Sequence, residues 1–282
     1  MEQQRAIFGL AAMLTAMVLL PIGDALSKLV VATYPAEQIT WVRNLVHTGL
    51  VLPLALAGGT RIPLSPAHLA RALCFLLMAV FYIAALRWMP LADAQALIFT
   101  FPLMIMAFSA MVMGHQVGPV RWTAALAGLG GVLLVVQPGF REMTPGVPLA
   151  LAAAITAAAY ILLTRRLTGT APQMMLLAMP ALVSVVLLTP MMVWSWVTPV
   201  WWDLAVMVVI GLLSTLIHFL LIFTYAQIEP SRVAPLAYLQ IAVGVLLGWW
   251  IFGDLPDWLG AVGIMMIILS GIVISVRERR AR

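Results

Sequence analysis

The sequence predicts an all-α integral membrane protein: ten transmembrane helices forming two inverted five-helix repeats around a central cavity. Three observations predict it. Of 282 residues, 64% are hydrophobic and only 9% charged, whereas a water-soluble domain carries about 25% charged residues, so lipid must solvate most of the surface. A crossing helix takes about 20 apolar residues, and at that length, with short links, the chain is consumed by about ten crossings. The two halves also resemble each other at an offset near 140 residues, and an odd number of crossings per half turns the second copy over.

Breaks fall at proline, glycine and clustered charge. They divide the chain into spans at 6–32, 36–57, 68–88, 91–113, 120–137, 146–167, 172–196, 203–226, 231–252 and 257–276. Links as short as Thr33-Tyr34-Pro35 and Glu229-Pro230 make consecutive helices antiparallel hairpins. The first apolar run, from Ile7, is too long for a signal-peptide core and no small-residue cleavage site follows it, so it reads as a retained helix. No stretch is long or polar enough for a separate soluble domain. The chain is one membrane domain, with repeats over 1–140 and 141–282.

Orientation follows from Lys and Arg, which favour the cytoplasmic side. With the N-terminus inside, Arg5, Arg61, Arg71, Arg121, Arg165, Arg166, Arg232 and the tail residues Arg277, Arg279, Arg280 and Arg282 all fall inside, eleven of the fifteen. Arg87 and Arg141 fall outside, and Lys28 and Arg43 lie within spans. Both termini are then cytoplasmic in a multi-pass protein of the inner membrane. The net charge of +5 does not point to nucleic acid, because the basic residues stand singly between apolar runs; the tail suits anionic headgroups. The single Cys74 excludes an internal disulfide and a multi-cysteine metal site.

The internal similarity runs in order along the chain. Pro90 in AALRWMPLADAQAL matches Pro230 in FTYAQIEPSRVAPL, and GHQVGPVRWTAALAGLGGVLLVV parallels GDLPDWLGAVGIMMIILSGIVISV, with Trp122 answering Trp258 and Gly131 answering Gly271. Ser27-Lys28 parallels Thr164-Arg165, and Pro35 parallels Pro172. Inverted repeats of this kind underlie carriers that open one shared site alternately to the two sides.

The close of each half also carries a family likeness. An apolar helix with an internal proline (Pro102) is followed by Gly plus a polar residue, a short loop, and a helix of the form G-x-x-x-x-x-G-V-x-L. With WVRNLV around Arg43 in the second helix, the chain resembles the EamA-type branch of the drug/metabolite transporter superfamily. Where that family often has Glu after the first Gly, this chain has His115 and Asp254. The resemblance implies a ten-helix basket around a central cavity. In overall character it implies an exporter of amino acids, aromatic ones included, and related metabolites.

Charge inside a bilayer costs about 2.5–3.5 kcal/mol per residue on insertion scales, so intramembrane charges mark candidate sites. The first helix carries Asp24 and Lys28 at i, i+4, on one face, with Pro21 freeing a carbonyl nearby. The second carries Arg43, Asn44 and His47. Counted from the Tyr34-Pro35 turn, Asp24 and Arg43 lie at similar depth. An Asp24–Arg43 pair, with Lys28 nearer the surface, is the natural geometry. It would be a cavity patch that binds a carboxylate or couples to protons, or an ion pair that locks the first hairpin. Asp93 sits in the first turn of the fourth helix, where a carboxylate suits the helix dipole; it caps that helix or gates the site, with Gln95 next along. Trp41, Tyr82 and Tyr225 lie near span ends and fit an interfacial belt. Tyr238 and Gln240 lie deeper, and Gln240 needs a partner. His218 reads as a neutral residue bonded to a neighbouring helix.

The candidate binding or coupling set is therefore Asp24, Lys28, Trp41, Arg43, Asn44, His47, Tyr82, Asp93, Gln95, Tyr238 and Gln240. Eighteen methionines suit an adaptable apolar lining. Gly128, Gly131, Gly263 and Gly271 permit close backbone approach, within the scaffold or in a homodimer through helices 5 or 10. His47, His68, His115 and His218 form no ligand-spaced set, and no nucleophile–base motif occurs, so neither enzyme chemistry, a metal nor a cofactor is expected. The expected function is a secondary transporter exporting small amphipathic metabolites, amino acids among them, by alternating access; a lipid or lipid-linked sugar flippase is the alternative.

Overall fold

The computed structural model describes residues 2–57, 62–113, 119–137, 144–228 and 233–280, and among them every regular element is helical. Six helices are long and apolar enough to cross a membrane: α1 (Glu2–Val31), α2 (Ala36–Ala57), α3 (Pro66–Leu86), α7 (Gly146–Leu167), α8 (Gln173–Ser195) and α9 (Trp201–Gln227). Shorter apolar segments supply the other four crossings. These are α4 (Leu91–Ile98) with α5 (Phe101–Met113), α6 (Pro119–Val136), α10 (Leu239–Leu247) with its flanking turns, and α11 (Trp258–Arg280). Proline starts several of them, Pro66 and Pro119 as first residues and Pro90 and Pro172 just before α4 and α8. There the missing N–H is one the helix would not have used.

The fourth and ninth crossings, which correspond in the two halves, are discontinuous. α4 stops at Phe99 and Thr100, whose hydroxyl donates to Leu97 O at 2.7 Å. Pro102 then falls in the first turn of α5. The ninth crossing begins as a 3₁₀ turn over Ala234–Tyr238 and ends as a π turn over Gly248–Phe252. Gly253 closes it at φ 70°, a left-handed conformation that favours glycine. The sequence predicted both crossings as single helices. Broken helices at matching positions of two repeats mark a binding region in carriers.

Helix partners come from the opposite half. The fifth crossing (α6) pairs with the tenth (α11), the third (α3) with the sixth (α7), the first (α1) with the eighth (α9), and the second (α2) with the seventh (α8). Exchanging the halves turns third–sixth into eighth–first and leaves the other two pairs unchanged. The scheme is thus its own image, as two inverted repeats require. The expectation of packed sequential hairpins is corrected by the same scheme: α1 and α2 follow each other yet barely touch, because each packs on a helix of the second half.

α6 and α11 approach through glycine. A Cβ on Gly131 would lie 2.7 Å from Gly263 O, and one on Gly263 would lie 2.5 Å from Gly131 O. The small-residue faces therefore serve contact within one chain. Gly131→Ala is expected to cost about 1–3 kcal/mol, as overpacking does, and to lower the thermal midpoint in detergent. Gly130→Ala, whose methyl would meet only Met266 Cε at 3.4 Å, is expected to leave it unchanged.

Side-chain bonds tie the halves at both ends of the bundle. At the end bearing Tyr34, the Tyr34 hydroxyl donates to Asp203 Oδ2 at 2.8 Å, and Gln38 bonds the Val197 backbone twice, at 2.8 and 2.9 Å. Exposed Trp88, Trp194, Trp201, Trp202, Trp249, Trp250 and Trp258 ring this end, as interfacial tryptophans do. At the opposite end Arg71, expected as an inside charge, is 3% exposed within α3. It donates to Thr164 Oγ1 (2.8 Å), Leu176 O (2.7 Å) and the Tyr160 hydroxyl (3.1 Å). Arg61, His115, Arg141, Glu229, Pro230, Arg232 and Arg282 lie outside the described residues, as do the side chains of Arg5, Arg121, Arg277, Arg279 and Arg280.

Candidate functional site

A cavity of about 400 Å³ lies between the halves, lined by α1 to α5 of the first and by α7, α9 and α10 of the second. That volume is in the range of small-molecule sites, about 300–1,000 Å³. Most of its wall is apolar and aromatic, with Phe75, Phe99, Phe101 and Tyr160 prominent. Met78 is the methionine in this wall, whereas Met13, Met175, Met179 and Met207 are fully buried in helix packing. The expected methionine-rich lining is therefore not what the fold builds.

Two charged groups face this space. Asp24 Oδ2 accepts hydrogen bonds from the Tyr82 hydroxyl at 2.9 Å and from Gln95 Nε2 at 3.0 Å. Gln95 in turn packs on α10 at Gly244, where any Cβ would fall on the Gln95 amide. The two discontinuous crossings thus meet beside Asp24. Arg43 stands on α2 with its guanidinium 6.0 Å from the Phe75 ring centre, and its buried Nε has no hydrogen-bond partner.

The expected Asp24–Arg43 ion pair does not form. Within 4.0 Å the ion pair among the described residues is Lys28–Asp254, at 2.8 Å. The reason is the packing scheme: α1 and α2 are held apart by their partners in the second half, and Tyr82 and Gln95 occupy the carboxylate instead. Lys28 also donates to Met89 O at 3.0 Å, so it reaches across the Tyr34 end rather than along its own helix.

Of the eleven candidates, Asp24, Arg43, Tyr82, Gln95 and Gln240 line the cavity. Tyr82 was also expected to suit an interfacial belt, but it is buried and bonded to Asp24. Lys28, Trp41, Asn44, His47, Asp93 and Tyr238 do not line it. Trp41 Nε1 donates to Thr189 Oγ1 at 3.0 Å, and its ring meets Trp196 edge-on. Asn44 is buried on α2, and Asp93 is buried in the first turn of α4. Tyr238 packs on Phe99, with its hydroxyl filling the space over Gly271. His47 sits behind the wall, its ring 5.2 Å from that of His218.

Sequence reasoning left Phe75, Phe99, Phe101, Ser214 and His218 out of the set, although all line the cavity. Thr100 and Pro102 between apolar runs were the available signal for the break that exposes Phe99 and Phe101. His218, expected to bond a neighbouring helix, instead bonds Ser214 O on its own helix through Nδ1 at 2.6 Å.

A family model for EamA-like transporters matches residues 7–137 and again residues 144–276. The chain belongs to the EamA-like transporter family. Each match covers one set of five crossings. A riboflavin transporter of Rhizobium johnstonii is 30% identical over 226 residues, covering 76% of this chain and 71% of that protein. An S-adenosylmethionine uptake transporter of Rickettsia prowazekii is 21% identical, covering 97% and 94%. A pseudopaline exporter of Pseudomonas aeruginosa is 26% identical, covering 89% and 90%. One solved crystal structure shares the fold with a TM-score of 0.64 at 19% identity, covering 99% of both chains. This EamA-like protein is accordingly a multi-pass membrane transporter of small molecules.

Proposed function

We propose that this EamA-like transporter exports small zwitterionic, amphipathic metabolites, amino acids with aromatic side chains included, across the inner membrane by alternating access. The observation that carries this reading is a cavity holding one carboxylate and one guanidinium that do not pair with each other, set in an aromatic wall. Separated opposite charges complement the carboxylate and ammonium of a zwitterion, and the wall suits its apolar body. The solute's ammonium would meet Asp24 and its carboxylate Arg43, with Tyr82 and Gln95 fixing the Asp24 carboxylate.

The two repeats, 1–140 and 141–282, supply the helices that rearrange about the cavity; because each main helix pair joins one repeat to the other, the movement is of interlocked pairs. Both termini are cytoplasmic on the arginine distribution, which puts the tryptophan-ringed Tyr34 end outside. Export is the direction implied by the sequence's resemblance in overall character to amino-acid exporters; of the relatives, the pseudopaline protein is named an exporter and the S-adenosylmethionine protein an uptake transporter. A flippase ranks second, because a phosphorylated headgroup calls for clustered cations and among the described residues Arg43 is the one Lys or Arg in this wall.

Purified protein in liposomes preloaded with tyrosine is expected to take up labelled tyrosine by saturable counterflow. No counterflow of any amino acid, together with movement of a fluorescent phospholipid between leaflets, would replace the carrier reading with the flippase one. Repeating the assay with an imposed pH gradient tests coupling through Asp24: acceleration by the gradient in the parent protein and none in Asp24→Asn is the expected pair of results.

A further inference from the structure

We propose that the cavity reads a hydrogen-bond donor on the ring of its solute, with Gln240 and His218 as the acceptors. Solutes bearing an indole N–H, a phenol O–H or a ring imide N–H are thereby chosen over plain phenyl ones. The inference rests on the carrier reading above and adds to it the residues that set specificity.

Gln240 lines the cavity, yet it is only 8% exposed and its buried Oε1 has no hydrogen-bond partner. A buried carbonyl oxygen left without a donor is unfavourable. A solute donor satisfies it. His218 presents a second acceptor. Its Nδ1 lies 2.6 Å from Ser214 O. A carbonyl only accepts, so Nδ1 carries the hydrogen, and the neutral ring is left with a lone pair on Nε2.

The placement fits a solute anchored at the charged pair. Gly244 on α10 marks the depth of the Gln95–Asp24 bond. Gln240 is one turn further from the Tyr34 end, about 6 Å along the helix. Gly211 on α9 lies against Arg43 O, where an added Cβ would sit at 3.0 Å. His218 is two turns beyond it in the same sense, about 10 Å. The wall between carries Phe75, Phe99, Leu213 and Ile217. An aromatic amino acid held by Asp24 and Arg43 therefore lays its ring on apolar surface. Its ring donor then falls at the depth of the two acceptors, since the distance from ammonium to ring N–H or O–H is of this length.

A site built to bond a solute N–H or O–H rejects the analogue lacking it far more strongly than an apolar pocket separates methylenes. The test is competition in proteoliposomes with L-tyrosine, L-tryptophan and L-phenylalanine as probes. The expected result is half-saturation for tyrosine and tryptophan at least tenfold below that for phenylalanine. Gln240→Met, a near-isostere without the amide oxygen, should bring the ratio to within about twofold, and His218→Phe should lower it independently. Monodisperse elution and an unchanged thermal midpoint identify the folded variants. Equal handling of the three probes by the parent protein, or a preference that survives in both folded variants, overturns the inference and leaves the carrier reading standing. Absence of flux for all three overturns both.

Discussion

Arg43→Ala is expected to reduce transport at least 30-fold while leaving the folded protein nearly as stable as the parent. Both halves of that result follow from the same geometry. Truncating one member of a buried, complementary charge contact costs about 2–5 kcal/mol of recognition, which corresponds to about 30-fold or more in half-saturation. The stability term stays small because Arg43 makes no salt bridge that its removal would break: the Asp24 carboxylate keeps its bonds from Tyr82 and Gln95. What is lost within the protein is one distant cation–ring contact on Phe75, at 6.0 Å, of a kind that contributes about 0.5–2 kcal/mol, and a longer-range attraction to Asp24. Counterflow and thermal melting on the same preparation separate the outcomes. A variant that melts early and transports in proportion to its remaining folded fraction would make Arg43 a structural residue and remove the zwitterion argument. Asp24→Asn should show the same split, since an asparagine oxygen can still accept from Tyr82 and Gln95 while the charge is gone.

That site was partly legible in the sequence, and the limits have a physical cause. Asp24, Arg43, Gln95 and Gln240 announce themselves because charge and amide groups are costly in hydrocarbon. Their meeting is not announced. Every helix here is apolar on most faces, so periodicity does not tell the face toward lipid from the face toward protein. Proximity along the chain sets Asp24 against Arg43, and the fold separates them because α1 belongs with α9 and α2 with α8. Tyr82 was ambiguous for the same reason: near a span end, a tyrosine at the interface and one turned inward look alike. The spans themselves were readable from apolar length and proline. The break after α4 left Thr100 and Pro102 as traces, whereas the π turn at Gly248–Phe252 left only glycines among tryptophans. Asp254 stood out as a departure from the family's usual Glu, but its partner Lys28 lies 226 residues away, beyond any local reading.

That pair is where the second large effect is expected. Lys28 Nζ bonds Asp254 Oδ2 at 2.8 Å and Met89 O at 3.0 Å, and it lies 4.8 Å from the Phe252 ring centre. One ammonium therefore joins α1, the α3–α4 link and the turn before α11, which ties the first half to the second across the Tyr34 end. Opening the cavity at that end has to break it. With side chains 14% and 34% exposed, the pair falls between surface ion pairs, about 0–1 kcal/mol, and buried ones, about 3–5 kcal/mol when one partner is removed. A value of about 1–2 kcal/mol corresponds to about a five- to thirty-fold change in the open population. Ser27 lines the cavity beside Lys28, so Ser27→Cys in a Cys74→Ala background reports that opening through its reactivity with a membrane-impermeant thiol reagent applied at the Tyr34 end. Lys28→Met and Asp254→Asn should each raise the reaction rate by that factor. The exchange Lys28→Asp with Asp254→Lys should bring it back, because the attraction is restored even though Met89 O loses its donor. Rates that stay at the parent value in both single variants, or that remain high in the exchange, would mean that the ion pair rides on the closed state without holding it. The closure would then rest on other bonds across that end, such as Gln38–Val197, Tyr34–Asp203 and Gln137–Asp257.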